Sequence, residues 1–159
     1  MKLSQGWEQS VYTLLILSCL PEGKSMNSQT IAERLQVSSS YLKKIIKLLV
    51  NEGLVHSVPG KNGGFSLARQ LENITFLDVF LAIEGRGRIF YSQRLLINFL
   101  GLPVDHGENC RISAAMNYLE ETLMSTLAMT TLDKMMRETE KNYDLTNLTD
   151  WIDEQNQQK

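Results

Sequence analysis

Three kinds of chemistry are open to the polar residues of this chain. The first is phosphate binding, because Lys43, Lys44 and Lys47 follow closely on Ser38, Ser39, Ser40 and Tyr41. Ammonium groups neutralise phosphates or reach guanine edges, and hydroxyls beside them donate to phosphate oxygens. The second is thiol chemistry at Cys110, which stands beside Arg111 at the expected start of a helix, a setting that lowers a thiol pKa; Glu108 opposes it. The third is metal binding, since Asp105-His106-Gly107-Glu108-Asn109-Cys110 has suitable side chains. No second Cys/His pair lies at a recognised ligand spacing, so the stretch reads as a polar loop, and no metal or other cofactor is expected. Catalysis is disfavoured, because no nucleophile–base pair, phosphate loop or paired-carboxylate arrangement stands out.

A lysine stripe is most often a solvated helix face, so the surrounding elements decide what it does. Apolar spacing predicts a first helix from Gln5 to Leu20, ended by Pro21 and Gly23, with Cys19 as a small core side chain. Ser28 offers an N-cap to a short helix, Gln29 to Leu35, and Gln36-Val37 is a tight connection to the next. Ser38 or Ser39 caps that next helix, on which Leu42, Ile45, Ile46 and Leu49 gather on one side and Ser40, Lys43, Lys44 and Lys47 on the other. Two short helices joined so closely, the second basic, form a helix-turn-helix signature.

Gly53 stops the helix, and Leu54–Val58 and Phe65–Ala68 read as two strands around the turn Pro59-Gly60-Lys61-Asn62-Gly63-Gly64. A tip this rich in glycine lets backbone approach a phosphate chain closely, and Lys61 adds charge. The expected double-stranded DNA contacts are therefore Ser28, Ser38, Ser39, Ser40, Tyr41, Lys43, Lys44 and Lys47, with Lys61, Asn62, Gly63 and Gly64 in the wing.

These residues, SSSYLKKIIKLLVNEGLVHSVPGKNGGFSLAR, are followed by Ile74-Thr75-Phe76-Leu77-Asp78-Val79 and Ala82-Ile83-Glu84-Gly85. Together with the opening Met1-Lys2-Leu3-Ser4, the pattern resembles the Rrf2 family of bacterial transcription regulators, strongly over 1–85 and more loosely from Cys110 to Met136. The resemblance implies a winged-helix homodimer, usually a repressor, on a partly palindromic operator, with a long helix from each chain forming the dimer. Two departures matter. Pro59 stands where many members carry a wing arginine, which leaves Lys61 or Asn62 to take its place. Iron–sulfur members have three cysteines before the long helix, and here only Cys110 is present, at the position of the third. Clusters are generally held by several thiolates, so none is expected.

Net charge is −2, yet it is unevenly placed: residues 1–70 carry eight Lys/Arg against four Glu, and residues 71–159 eight against fourteen acidic residues. A basic half beside an acidic half suits a nucleic-acid reader joined to a partner or sensor region. No apolar run approaches the roughly 20 residues that span a bilayer, and Val11–Leu20 is a poor signal peptide, so a cytoplasmic protein without membrane contact is expected.

The expected fold is mainly α with a small β-hairpin wing, a winged helix-turn-helix plus a long dimerisation helix. Residues 1–85 form the DNA-binding domain, 86–110 a connecting or sensor segment, 111–138 the dimerisation helix and 139–159 a polar C-terminal tail. In the connector, apolar residues from Ile89 to Leu102 predict a short helix, Gln93 to Leu100, packed on the stem, or alternatively the lining of an effector pocket. From Arg111 to about Met129, the seam Ile112, Met116, Leu119, Leu123 and Leu127 suits pairing with a second copy. A short helix Leu132–Arg137, a patch at Leu145, Leu148, Trp151 and Ile152, and six disordered final residues complete the expectation. Rival readings are a winged-helix protein-interaction module and a thiol-based redox regulator using Cys110.

Overall fold

The chain is built around its first helix, α1 (Gln5–Ser18), which buries Ser10, Val11, Thr13, Leu14, Leu15, Ile16 and Leu17. So nearly continuous a run leaves no solvent stripe along the second half of the helix, and neighbours must cover it on every side. The computed structural model describes residues 3–60, 63–101 and 110–157. The other elements are α2 (Ser28–Leu35), α3 (Ser39–Asn51), β1 (Val55–Val58), β2 (Gly64–Leu67), α4 (Phe76–Glu84), α5 (Leu95–Leu100), α6 (Arg111–Ala128), α7 (Leu132–Asn142) and α8 (Thr146–Gln157). The fold is thus mainly helical with one small antiparallel hairpin, in which Val55 pairs with Leu67 and Val58 with Gly64. That is the winged helix-turn-helix expected from the sequence.

Helices α2, α3, α4 and α7, with β2, all pack against α1. Leu42, Ile46 and Leu49 of α3 join Leu14, Ile31, Leu54, Ile74 and Val79 in one apolar cluster. Each such side chain, fully buried, contributes roughly 1.5–3 kcal/mol. The close crossing of α1 and α3 needs Gly6, where any Cβ would collide with the Ile45 Cδ1 methyl.

Two segments singled out for the family resemblance have local physical jobs. In Ile74–Val79, the Thr75 hydroxyl accepts from the Asp78 amide (3.1 Å), while Asp78 Oδ2 accepts from the Thr75 amide (2.7 Å), a reciprocal cap that starts α4. In Ala82–Gly85, Glu84 Oε1 accepts from both the Ser4 amide (2.9 Å) and hydroxyl (2.7 Å), tying the end of α4 to the start of α1. Trp7 and Phe76 meet edge to face, 5.1 Å between centroids, along the same contact.

Several boundaries differ from expectation. Asn27, not Ser28, caps α2: its side chain accepts from the Thr30 amide at 2.8 Å, and Ser28 is the first helical residue. Both residue types cap well, so the choice turns on a one-residue register. Helix α1 ends at Ser18, two residues early, and α7 continues to Asn142, past the expected end at Arg137.

The stretch read as a polar tail is the twelve-residue α8, and it runs through Gln157 instead of dissolving over its last six residues. Asp144 starts it by accepting from the Thr146 amide (2.9 Å) and hydroxyl (2.6 Å). Ile152 is only 2% exposed, and Leu148 and Trp151 pack on the core beside it. The Arg34 guanidinium of α2 lies 5.0 Å from the Trp151 ring centroid and donates to Asn147 Oδ1 at 2.8 Å.

The connector is also less packed than its composition suggests. Helix α5 buries only Ile97; Leu95, Phe99 and Leu100 are exposed. Helix α6 leans on α4 and buries none of its eighteen residues fully. Backbone pairing joins its far end to the domain, since Phe76 N donates to Thr130 O (2.8 Å) and Leu132 N to Ile74 O (2.9 Å). Among the described residues, no helix is long and apolar enough to cross a membrane.

If α8 belongs to the core, Ile152→Ala removes buried volume and is expected to lower unfolding free energy by about 2–5 kcal/mol in a urea titration followed by circular dichroism. A midpoint equal to that of the unmodified chain would contradict this placement.

Candidate nucleic-acid interface

Helix α3 separates its two faces as a reading helix must. Leu42, Ile45, Ile46 and Leu49 are buried, while Ser40, Lys43, Lys44 and Lys47 are exposed. Its N-terminus is capped by Ser38, whose hydroxyl accepts from the Tyr41 amide (3.4 Å) and bonds with the Ser40 hydroxyl (3.0 Å). The cap engages Ser38, whereas Ser40 keeps an exposed side chain and Ser39 a half-buried one. Tyr41 is 38% exposed and leans back toward Gly6 of α1. Ser28 stands half-buried in the first turn of α2, where helix-start amides attract anions.

The C-terminal end of α3 is held by two arginines that sequence reasoning missed. Arg86, just beyond α4, grips the C-cap residue Glu52 with both terminal nitrogens, 2.7 and 2.8 Å from Oε1 and Oε2. The Arg86 guanidinium holds the Glu52 carboxyl below its ordinary range. Arg69, just beyond β2, donates to the carbonyls of Glu52 (3.1 Å) and Gly53 (3.2 Å) and lies 3.9 Å from Asp78. Positive charge at a helix C-terminus and donors for its orphan carbonyls are both favourable. Spacing gives no hint of this clamp, because its members come from 16 and 34 residues away.

The hairpin carries its glycines for reasons inside the chain. Backbone of Met26 pairs with Phe65 on the outer edge of β2, at 2.8 and 2.9 Å. A Cβ on Gly64 would sit 2.6 Å from the Met26 carbonyl, and one on Gly63 would strike the Val58 carbonyl oxygen. The approach at Gly64 anchors the wing to the residues just before α2, and that at Gly63 closes the hairpin on itself. His56 and Ser57 of β1 are exposed beside the tip and were not anticipated as contacts. Lys61 and Asn62 lie outside the described residues.

The other candidates are spread more widely. Cys110 is the N-cap of α6. Its thiol pKa lies below the ordinary value because the Ser113 amide, the Ser113 hydroxyl and the Ile112 amide face the sulfur, although none forms a regular capping bond. The cause is the helix start, not the Arg111 charge. Cys19 behaves oppositely, since burial pushes its thiol up. It packs against the core at the end of α1, away from the start of α6.

Two cysteines in the whole chain do not supply a three-thiolate set, and the described residues contain no group of three or more His, Cys, Asp and Glu placed to hold a metal ion. The polar loop Asp105–Asn109 lies outside the described residues. The predicted stem seam divides: Ile112 and Leu119 are 66% and 57% exposed, while Met116, Leu123 and Leu127 are half-buried. Tyr118 and Met129 add exposed apolar surface that the seam omitted.

Because the Arg86 grip on Glu52 is bidentate, Arg86→Ala is expected to speed amide hydrogen exchange over the last turn of α3, and Arg86→Lys to restore it only in part. Unchanged protection from Leu49 to Gly53 in both variants would rule the clamp out.

Comparison with known proteins follows the same geometry. A model of the Rrf2 family, described as iron-dependent transcriptional regulators, matches residues 3–138. YffB of Lactococcus lactis, named an HTH-type transcriptional regulator, is 58% identical over 97% of this chain and 99% of its own. YwgB of Bacillus subtilis, named likewise, is 39% identical over 96% and 95%. Among solved structures, T. potens IscR superposes with a TM-score of 0.66 at 24% identity, covering 91% of this chain and 92% of that one. CymR of B. subtilis, titled a global cysteine regulator, gives 0.62 at 20% identity over 87% and 98%. Those two likenesses speak for the fold, whereas the family match and the two curated relatives span nearly the whole chain and place it in the Rrf2 family of helix-turn-helix transcriptional regulators.

Proposed function

We propose that this Rrf2 regulator acts as a homodimeric repressor that reads a partly palindromic operator without a cysteine-ligated iron–sulfur cluster. The observation that carries the reading is the two-faced α3, buried through four apolar residues and open through Ser40, Lys43, Lys44 and Lys47. In each subunit α3 enters the major groove, and the wing follows the adjacent minor groove through Lys61, Asn62, Gly63 and Gly64. Ser28, Ser38, Ser39 and Tyr41 hold flanking phosphates from the helix starts.

Dimerisation is supported by α6, where an eighteen-residue helix without a buried residue presents Ile112, Tyr118 and Leu119 to solvent. Pairing two such stems turns one reader into a symmetric pair, and two-fold symmetry requires an inverted repeat with half-sites about one helical turn or more apart. Residues 1–85 are then the reader, 86–110 the connector and 111–138 the stem. Beyond the stem, α8 returns to brace the reader through Leu148, Trp151 and Ile152. Absence of a cluster rests on the donor set, because Cys110 stands alone before α6.

A second reading, in which Cys110 senses oxidants, is favoured by its lowered thiol pKa. A larger thiolate fraction at neutral pH follows, so iodoacetamide is expected to alkylate Cys110 ahead of Cys19, as read by peptide mass spectrometry. Preferential labelling of Cys19 would sink that reading.

For the DNA face, single changes of Lys43, Lys44 and Lys47 to Ala are expected to weaken binding to the operator. Each should also reduce the log–log salt slope by roughly 0.9 for every phosphate no longer neutralised. Fluorescence anisotropy across a salt series, on an operator obtained by selection from random duplexes, gives both quantities. Three variants with wild-type affinity and slope would exclude this face. Leu119→Glu is expected to convert a dimer to a monomer in light scattering; a monomeric unmodified chain would defeat the stem reading.

A further inference from the structure

Where the C-terminal helices return to the reader they leave a cleft of about 800 Å³, within the ~300–1,000 Å³ usual for small-molecule sites. One wall is the root of the wing, Leu67 at the end of β2 with Gln70 and Leu71 beyond it. Met136 of α7 and, across the α7–α8 turn, Leu145 and Leu148 line the cleft as well. Ser18 and Cys19, at the end of α1, also line it.

The charges around this apolar interior have one sign. Glu140 and Asp144 both line the cleft, and among the described residues no Lys, Arg or His does. Two hydrogen bonds from Thr146 hold the Asp144 carboxyl below its ordinary range, so it stays anionic. The Glu140 carboxylate faces the Cys19 thiol closely enough to contribute to its raised pKa. Tyr143, which is 71% exposed, stands beside them. Apolar walls, two carboxylates and an open aromatic face are together the recognition chemistry of an amphiphilic cation.

We propose that this cleft binds a small organic amine with an aromatic or branched aliphatic body, its apolar part between Leu67, Leu71, Met136 and Leu148 and its ammonium group against Glu140, Asp144 and Tyr143. An anionic ligand of equal size is disfavoured by repulsion from the two carboxylates. Because Leu67 closes β2, an occupant touches the wing and the C-terminal helices at once. Its regulatory consequence, a changed operator affinity, rests on the reading of the hairpin as a DNA-contacting wing.

The full chain carrying Cys110→Ser leaves Cys19 as the one thiol and reporter. Tryptamine and 2-phenylethylamine are titrated by calorimetry, with 3-phenylpropanoate as the charge-reversed control, and Cys19 reactivity toward a disulfide reagent is followed at each concentration. The expected result is saturable binding of the amines at one site per chain, slowing of the Cys19 reaction several-fold, and neither effect from the carboxylate.

Glu140 and Tyr143 are surface positions, so Glu140→Gln and Tyr143→Ala should fold, as a melting curve will verify. Each is expected to weaken amine binding by up to about fivefold, the upper end for an exposed charge contact. No saturable amine binding, equal binding of the carboxylate, or unchanged affinity in both variants overturns the site. Operator affinity of the unmodified chain is then measured with and without amine. An unchanged value overturns the coupling to the wing, whereas failure to bind any operator would undo the DNA reading and leave the calorimetric result standing.

Discussion

Burial of α1 is the constraint from which the other elements take their places, because its second half, Thr13 to Leu17, leaves no solvent stripe and must be covered all round. Covering it from one side fixes α3, with Gly6 allowing Ile45 to approach. From another it fixes α4, whose last residue, Glu84, returns to the backbone at the start of α1. Helices α3 and α4 are therefore both referenced to the same central rod. Helix α4 also packs directly on α3, so the two share side-chain contacts as well as a common support.

Helix α3 is pinned at its rear and open at its front. Arg69 and Arg86 hold the carbonyl end of α3 from two different parts of the chain, while its lysines and helix-start hydroxyls face outward. Pre-positioned donors lose less entropy when they meet a phosphate than donors that must first be ordered. Arg86 also lies at the head of the segment leading to α6, so the same clamp ties that segment to the end of α3.

What was legible in the sequence follows from how local the cause is. The two-faced α3, the glycine stop at Gly53 and the hairpin were readable because period, stop and turn residues lie within a few positions of one another. Ser28 was misjudged as a cap by one residue, since neighbouring Asn27 caps as well. Helix α8 was largely invisible, because four apolar residues in a polar stretch form a helix only when tertiary packing supports it. The clamp and the cleft were invisible for the same reason on a larger scale: Glu52 with Arg86, and Leu67 with Leu148, are brought together by the fold alone. In the stem, periodicity found the apolar positions but not which of them its own α4 would claim, so Met116 and Leu119 were placed in one seam and lie in different environments.

The position of α8 also bears on how the chain is made. Ile152 completes a core whose other members begin at Val11, and Arg34 stacks on Trp151 across more than a hundred residues. Synthesis proceeds from the N-terminus, so the reader emerges first and waits for its last wall. Until α8 has left the ribosome, the surface it covers is exposed to solvent, to chaperones and to other nascent chains. Such long-range closure slows folding and lengthens that exposure. A chain assembled in this order closes its core only once α8 has been translated.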